Sequence, residues 1–268
     1  MGGARPLRAA PRLGDWAAGL GRFDAFEPLR ASFAASIESR GADATLRSVL
    51  PALWPGIAAA AFHGPIRTAH AVQSQHDGEL AAALAYWAAR WQSLPAPHGG
   101  APWTLSDWAA SLEAAASDFH SDEPLISGRM RQAGEGHGYR EIAGRLQTGP
   151  ATWSELARWA AGLYASSGNF TVLHIVTGIR AVRVLMPWVD DTASLAASAV
   201  PAIAAATIAS SVKRRPHVPN RLPDWPAIIR AAIASNDDHV VKLVHACVEM
   251  GATDGDPPFL AAAARATT

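Results

Sequence analysis

Residues 170–185 read FTVLHIVTGIRAVRVL, and this stretch decides the fold class of the chain. Apolar side chains fill most of its positions, and it ends just before Pro187. A long apolar run closed by a proline predicts a helix of the core rather than a strand. Elsewhere, no stretch shows the sustained alternation of β-branched residues that half-buried strands need. The pattern therefore favours a helical protein.

The composition points the same way, because 59 of the 268 residues are alanine, the best helix former. Proline and glycine set the expected bounds of the other long helices. These are residues 43–50 (stopped by Pro51), 54–72 (bent at Gly64-Pro65), 192–211 and 225–250 (closed by Gly251). We expect an all-α fold, with residues 1–268 forming a single multi-helix domain of packed helix pairs.

Charge and cysteine content exclude several classes of protein. The 23 basic and 23 acidic residues cancel, which argues against an electrostatic nucleic-acid binder and a polybasic membrane-surface protein. A single cysteine, Cys247, excludes a disulfide framework and any multi-cysteine metal site. No uncharged apolar stretch reaches the roughly 18 residues of a membrane span. We expect a cytoplasmic protein without nucleic-acid or membrane partners.

Histidines recur in three separate segments that are predicted to be helical. His63 and His70 are seven residues apart, within about 20° of two full helical turns, so they share one helix face. His174 lies inside the apolar run, and His239 lies within the last long predicted helix, residues 225–250. Each histidine alone is more typical of a core imidazole bonded to a backbone carbonyl. Together they predict a metal site, since several imidazoles suit Fe(II), Mn(II) or Zn(II).

Lys242 lies one helical turn after His239, in a chain with 21 arginines and only one other lysine, Lys213. Unlike arginine, lysine can lose its proton. A neutral amine can also take up CO2 to give a carbamate, an anionic oxygen ligand. A salt bridge to Asp237, Asp238 or Glu249 is the alternative interpretation.

The common metal, nucleotide and hydrolase motifs are absent. The chain has neither the His-Glu-x-x-His pair of zincins nor the Glu-x-x-His pairs of ferritin-like proteins. A Gly-rich nucleotide fingerprint and a serine nucleophile elbow are also missing. Any metal site must therefore be assembled from the separated histidines.

Three motifs occur in the order found in the questin oxidase-like family, which the chain resembles from about Trp16 to Ala264. They are HGPIRTAHA at 63–71, NFTVLHIVTG at 169–178 with AVRVL at 181–185, and DDHVVKL at 237–243. The resemblance implies oxidative opening of anthraquinone-type rings, by Baeyer–Villiger-like or ring-cleaving oxygenation with non-heme iron. Family members are longer at the N-terminus, where an additional helix carries an Asn-His-type motif, so we expect this chain to lack that helix.

The resemblance also implies site residues. The expected Fe(II) ligands are His63, His70, His174, His239 and Lys242, the last as a carbamate or as a second-sphere charge. Lys242, Arg67 and Asn169 are the expected catalytic residues, with Arg67 and Asn169 orienting a substrate or peroxide oxygen. The expected partners are dioxygen and a small hydrophobic aromatic substrate, while NADPH and a homo-oligomer remain open. The alternatives are a non-catalytic helical protein with an incomplete site and a metal-dependent hydrolase.

Overall fold

The computed structural model describes residues 12–214, 222–255 and 257–268, which form helices and no strand. The all-α prediction is therefore confirmed. The α-helices of these residues are α1 (Phe26–Arg40), α2 (Ala42–Leu53), α3 (His63–Gln73), α4 (Asp77–Ala89), α5 (Leu105–Asp118), α6 (Ile126–Glu135), α7 (His137–Ile142), α8 (Thr152–Ser167), α9 (Phe170–Leu185), α10 (Thr192–Ala209), α11 (Trp225–Ala234), α12 (Asp238–Asp254) and α13 (Pro257–Ala266). Short 3-10 helices cover Trp16–Gly19, Phe23–Ala25, Trp54–Gly56 and Met186–Trp188.

The apolar run at 170–185 forms α9, with the bounds that the sequence predicts. Every residue from Thr171 to Val182 is buried, because α9 packs against α3, α8, α10 and α12. Burial of each large aliphatic side chain contributes about 1.5–3 kcal/mol, which makes α9 the centre of the core. It also determines which helices can share a site, since only its neighbours can reach its side chains.

The other helices also pack in pairs, among them α1 with α4, α3 with α4, and α8 with α13. Buried apolar side chains between Ala25 and Ala264 form one continuous cluster. The packed helices agree with the predicted architecture. The assignment of residues 1–268 to one domain stays a prediction.

The helix predicted at 54–72, with a bend at Gly64-Pro65, is interrupted at a different place. The chain leaves the helical region earlier, where Ala60, Ala61 and Phe62 adopt φ angles of 48°, 54° and 64°. The new helix, α3, then begins at His63, so Pro65 lies in its first turn. A proline there causes no kink, because the first-turn amides lack intrahelical partners anyway. The left-handed turn thus determines where His63 begins the helix.

The long helix predicted at 225–250 is also wrong, because the structure has two helices there. Asn236 adopts a φ of 54°, and Asp237 caps α12 by accepting a hydrogen bond from the His239 amide. The second helix continues past Gly251 and ends at Gly255, whose φ is 90°. Since Asp237 begins a new helix, His239 lies at a helix N-terminus rather than mid-helix.

Pro51 does not stop the second helix, because α2 runs on to Leu53 with the proline inside it. Only two residues of the helix follow the proline, so the lost amide donor lies in the last turn and does not end the helix earlier.

In the part of the chain that the structure describes, two segments are long and apolar enough to cross a membrane by length and composition alone, Phe170–Trp188 and Thr192–Ala209. The expectation that no uncharged apolar stretch reaches this length is therefore wrong for Thr192–Ala209, which has 18 residues and no charge. Of the apolar window in each segment, 72% and 67%, respectively, is buried inside the protein. Central helices of a helical core meet the same criterion, so these segments are weak evidence for a membrane protein. The absence of a membrane partner stays a prediction.

Candidate metal centre

Three histidines from three neighbouring helices converge at one point. They are His63 of α3, His174 of α9 and His239 of α12, and one ring nitrogen from each lies within 4.8 Å of the others. The ring centroids of His63 and His174 are 5.0 Å apart, and those of His174 and His239 are 5.6 Å apart. The structure therefore brings together three of the four histidines that the sequence predicts as ligands.

Each of these histidines lies within the first five residues of its helix. The α9 terminus is formed by Asn169, whose side chain accepts hydrogen bonds from the amides of Thr171 and Val172. The positive end of a helix dipole disfavours a charged imidazolium nearby. Three helix N-termini at one point therefore favour neutral imidazoles, the form that binds metals.

Backbone carbonyls determine which nitrogen is free in two of the rings. His63 Nδ1 lies 2.5 Å from the carbonyl oxygen of Ala60, and His174 Nδ1 lies 2.9 Å from that of Phe170. A carbonyl oxygen only accepts hydrogen bonds, so each Nδ1 carries the proton and donates it. In the neutral ring this leaves the Nε2 lone pair for a metal, the usual arrangement of ligating histidines.

At the third ring, that of His239, carboxylates instead of a backbone carbonyl face Nδ1. His239 Nδ1 lies 3.1 Å from Asp238 Oδ1 and 3.4 Å from Asp237 Oδ1. Two negative oxygens facing one ring nitrogen favour the proton on that nitrogen. His239 therefore also presents Nε2, and its neighbours add the negative charge that a divalent cation needs.

Burial keeps two of the imidazoles neutral near pH 7. It lowers the pKa of His174 to about 4, and it also lowers the pKa of His63. In both cases burial outweighs the hydrogen bond to the carbonyl, which acts in the opposite direction. Protons therefore compete only weakly with a metal for these two ligands.

The donor set fits a divalent transition metal. Nitrogens bound to one zinc ion at about 2.1 Å are at most about 4.2 Å apart, so small side-chain rotations suffice to close the site. Three protein imidazoles leave coordination positions open, as in catalytic rather than structural sites. Imidazole suits zinc, copper and iron, so the ligands alone do not select among them.

A cleft of about 670 Å³ opens beside the cluster, between α3, α4 and α12. His63 and His239 line it, together with Arg67, Glu79 and Lys242. A cleft of this size suits a small organic molecule. The cluster therefore lies at the wall of a space that a substrate can enter.

Phe170 covers the other accessible side of the cluster, and sequence reasoning did not identify it. Its ring packs edge-on to His174 at 4.8 Å and is tilted against His239 at 4.9 Å, between ring centroids. The side chain is nonetheless 52% exposed. An exposed aromatic residue one helical turn before a buried histidine is the signal that could have identified it.

The family model described as Questin oxidase-like matches residues 4–247, a range that contains all three clustered histidines. The chain belongs to the questin oxidase-like family. Membership in this family suggests an oxidoreductase. A search of the curated proteins finds no match.

His70, the fourth histidine expected from the family motifs, does not join the cluster. Its ring stacks on His245, with centroids 5.9 Å apart, two turns along α3 from His63. Burial lowers the pKa of His70 to about 4. The two histidines are seven residues, about 10 Å, apart along one uninterrupted helix, so they line the same cleft but do not share an ion.

Lys242 Nζ donates to Asp238 Oδ2, the salt bridge that was the alternative interpretation. This contact is compatible with the expected second-sphere charge. The lysine side chain is 35% exposed and lies on the wall of the cleft. A carbamate there would place a second anion beside the carboxylate of Asp238, which is unfavourable. The geometry therefore supports a charged lysine outside the ligand set.

The remaining predicted residues have different surroundings. Arg67 lines the cleft, with its guanidinium 4.7 Å from the centroid of the Tyr86 ring. Asn169 uses its oxygen to cap α9, and its amide donates to the carbonyl of Ser210. Arg67 thus remains a candidate for contact with a substrate, whereas the hydrogen bonds of Asn169 give it a structural role.

Proposed function

We propose that this protein is a non-heme metal-dependent oxygenase of the questin oxidase-like family, with His63, His174 and His239 as the metal ligands. The observation that carries the proposal is the convergence of one ring nitrogen from each of three histidines, together with a carbonyl or carboxylate oxygen beside each Nδ1. The Nδ1 hydrogen bonds of His63 and His174 to backbone carbonyls are the arrangement typical of ligating histidines, and the convergence of the three rings sets these residues apart from separate core histidines.

Fe(II) is the metal we propose, because bound iron supplies the one-electron chemistry that lets dioxygen react with an organic substrate. The protein contributes the binding and orientation. The cleft has room for a flat multi-ring molecule, and the exposed ring of Phe170 offers an apolar contact beside the ligands. Arg67 can donate hydrogen bonds to an oxygen substituent while its face rests on Tyr86. These features support an aromatic or polyketide-like substrate.

The electron count separates the two reactions expected within this class. Insertion of one oxygen atom, as in a Baeyer–Villiger-type reaction, sends the other atom to water and needs two electrons from a donor such as NADPH. Ring cleavage that places both oxygen atoms in the product needs no external donor. NADPH consumed per dioxygen therefore identifies the reaction type, with one equivalent for insertion and none for cleavage.

The proposal is tested by metal analysis and oxygen uptake on the full-length chain purified without chelator. We expect about one iron per chain after anaerobic loading, and oxygen uptake with members of a hydroxyanthraquinone panel. His174→Gln is expected to abolish both, whereas Lys213→Met, far from the cluster in sequence, is expected to retain both. Loading that is no different in His174→Gln would show that the three-histidine centre is wrong.

Metal-dependent hydrolysis is the second candidate, favoured by one observation. Three histidines without a carboxylate ligand also form the zinc site of carbonic anhydrase, where the ion activates water. Glu79 lines the cleft and is available as a general base. Product formation under anaerobic conditions with a zinc-loaded protein would favour this candidate over the oxygenase.

A further inference from the structure

One carboxylate connects the unusual lysine to the third metal ligand. Asp238 Oδ2 accepts from Lys242 Nζ, and Asp238 Oδ1 lies 3.1 Å from His239 Nδ1. All three residues lie in the first turns of α12, where Asp238 and Lys242 are four residues apart on one face. The two oxygens of a single side chain therefore face the lysine and the histidine at the same time.

The lysine restricts a carboxylate that would otherwise move freely. The Asp238 side chain is 65% exposed, and its contacts with the side chains of Lys242 and His239 favour this orientation. Holding it matters because the ring nitrogen that faces a carboxylate keeps the proton, and the opposite nitrogen becomes the ligand. The other two rings have rigid backbone carbonyls for this purpose. His239 has instead a mobile side chain that needs an anchor.

Asp237 does not provide the same anchor. Its Oδ1 lies 3.4 Å from His239 Nδ1, but the same oxygen accepts the amide hydrogen of His239 as the helix cap, at 2.8 Å. That oxygen is committed to the backbone. Asp238 is therefore the carboxylate whose orientation toward the ring depends on a second side chain.

We propose that Lys242 is a positioning residue, which holds the Asp238 carboxylate against His239 Nδ1 so that His239 presents Nε2 to the metal. The inference rests on the proposed metal centre, and it assigns Lys242 neither a ligand bond nor a carbamate. A lysine charge beside a metal cation would by itself be repulsive. The carboxylate of Asp238 cancels that charge, because the pair of side chains is neutral overall. Arginine, which also donates to a carboxylate, should largely replace it.

The first measurement is metal affinity, with Fe(II) and Co(II) titrated anaerobically against a competing chelator. We expect Asp238→Asn and Lys242→Met each to weaken binding roughly tenfold, the lower end of the effect of losing an outer-sphere partner. Lys242→Arg is expected to stay near the wild-type affinity. Lys213→Met, which removes the other lysine, is the matched control and is expected to leave affinity unchanged.

The second measurement needs no metal. Nitrogen-15 NMR of metal-free protein at pH 8.5, where an imidazole is ordinarily neutral, reports which ring nitrogen of His239 is protonated. The His239→Gln spectrum assigns the signal. We expect the Nδ1-protonated tautomer in the wild type and in Lys242→Arg, and a mixture of tautomers in Asp238→Asn and Lys242→Met.

Different outcomes overturn different parts of the proposal. Equal losses in Lys242→Arg and Lys242→Met, with affinity that depends on added bicarbonate, would indicate a carbamate ligand. An unchanged metal affinity and an unchanged His239 tautomer in Lys242→Met would show that the Lys242–Asp238 contact is only a surface ion pair. In that case, metal loss in His174→Gln would still support the three-histidine metal centre. If the wild type binds no metal, the proposed function fails, and an unchanged tautomer in Lys242→Met then refutes the positioning role separately.

Discussion

His174 is the most buried of the three ligand candidates, with 2% of its surface exposed. Its Nδ1 donates to a backbone carbonyl in its own helix, so the fold satisfies one ring nitrogen and leaves the other directed at two more imidazoles. An unprotonated nitrogen in this position costs stability unless something occupies it. This arrangement of one satisfied and one free nitrogen distinguishes a ligand from a core histidine.

The burial of His174 predicts a pH dependence of stability. Burial lowers its pKa to about 4 in the folded protein, against about 6.5 in the unfolded chain. Between these values the unfolded chain binds the additional proton, so the free energy of unfolding falls as the pH is lowered. The expected loss is about 3 kcal/mol, from about 1.4 kcal/mol per pKa unit. Urea unfolding of metal-free protein at pH 7 and pH 4.5 measures it.

His174→Gln has no titrating group at this position, so it should show a smaller loss of stability than the wild type over the same pH range. Groups remote from the cluster titrate equally in both proteins and cancel in the comparison. Equal losses in the two proteins would mean that His174 is not held neutral by burial.

Helical spacing alone identifies the residues of the site only in part. It places His63 and His70 on one face of α3, and both do line the cleft. It cannot show that the partner ring beside His70 comes from His245, since that depends on how α12 lies against α3. The same holds for Lys242, whose salt bridge to Asp238 was one of several alternatives that the sequence left open.

At the level of helices, two glycines of the family motifs serve the close packing of helices and have no direct part in the metal site. A Cβ atom on Gly64 of α3 would lie 2.5 Å from the Trp87 ring of α4. One on Gly178 of α9 would lie 2.9 Å from the ring of Phe62, the residue that precedes His63. Both contacts are shorter than van der Waals distance. The glycines therefore determine how closely α3 lies against its neighbours, and with it the position of His63.

Gly64→Ala is expected to destabilise the protein by about 1–3 kcal/mol, because the added methyl group overpacks against Trp87. Gly162→Ala in α8 is the matched control, since a Cβ there meets nothing within 4 Å. That substitution should stabilise the protein by up to about 1 kcal/mol through helix propensity. Thermal and urea unfolding of both variants measure the difference. A Gly64→Ala protein as stable as the wild type would show that α3 and α4 are not in close contact.

The sequence predicts the existence of most helices but misplaces several of their boundaries. The left-handed turn at Ala60, Ala61 and Phe62 contains no glycine, so no local pattern announces it. Each such residue costs about 1–2 kcal/mol, which only the surrounding packing can supply. The break at Asn236 is similarly short. Long apolar segments such as α9 are predictable because burial itself produces their pattern.

At the level of the whole molecule, α3, α9 and α12 are connected by two groups of polar side chains at different heights along the helices. The histidine cluster lies at the N-terminal ends of these helices, and a second layer lies about two turns further along. There Arg180 Nε donates to Glu249 Oε2 at 2.6 Å, and Gln73 Nε2 donates to Glu249 Oε1 at 2.8 Å. The Arg180 side chain is only 3% exposed. This layer ties the three ligand-bearing helices together.

Glu249→Ala is expected to cost about 3 kcal/mol, since it leaves the buried guanidinium of Arg180 without its carboxylate. The double variant Arg180→Met with Glu249→Met should recover most of this loss, because the unpaired charge is gone. Glu27→Ala removes the partner of Arg30 in an exposed pair, so its effect should stay below about 1 kcal/mol. Urea unfolding compares them, and equal effects of Glu249→Ala and Glu27→Ala would contradict a buried tie.

The account depends most directly on one measurement, the affinity and stoichiometry of Co(II) or Fe(II) binding in the wild type and in four single variants. His63→Gln, His174→Gln and His239→Gln are each expected to weaken binding at least about tenfold, while the wild type binds one ion per chain. His70→Gln is expected to bind as the wild type does, since His70 stacks on His245 outside the cluster. Equal loss in His70→Gln, or no loss in His174→Gln, would contradict a centre built from His63, His174 and His239.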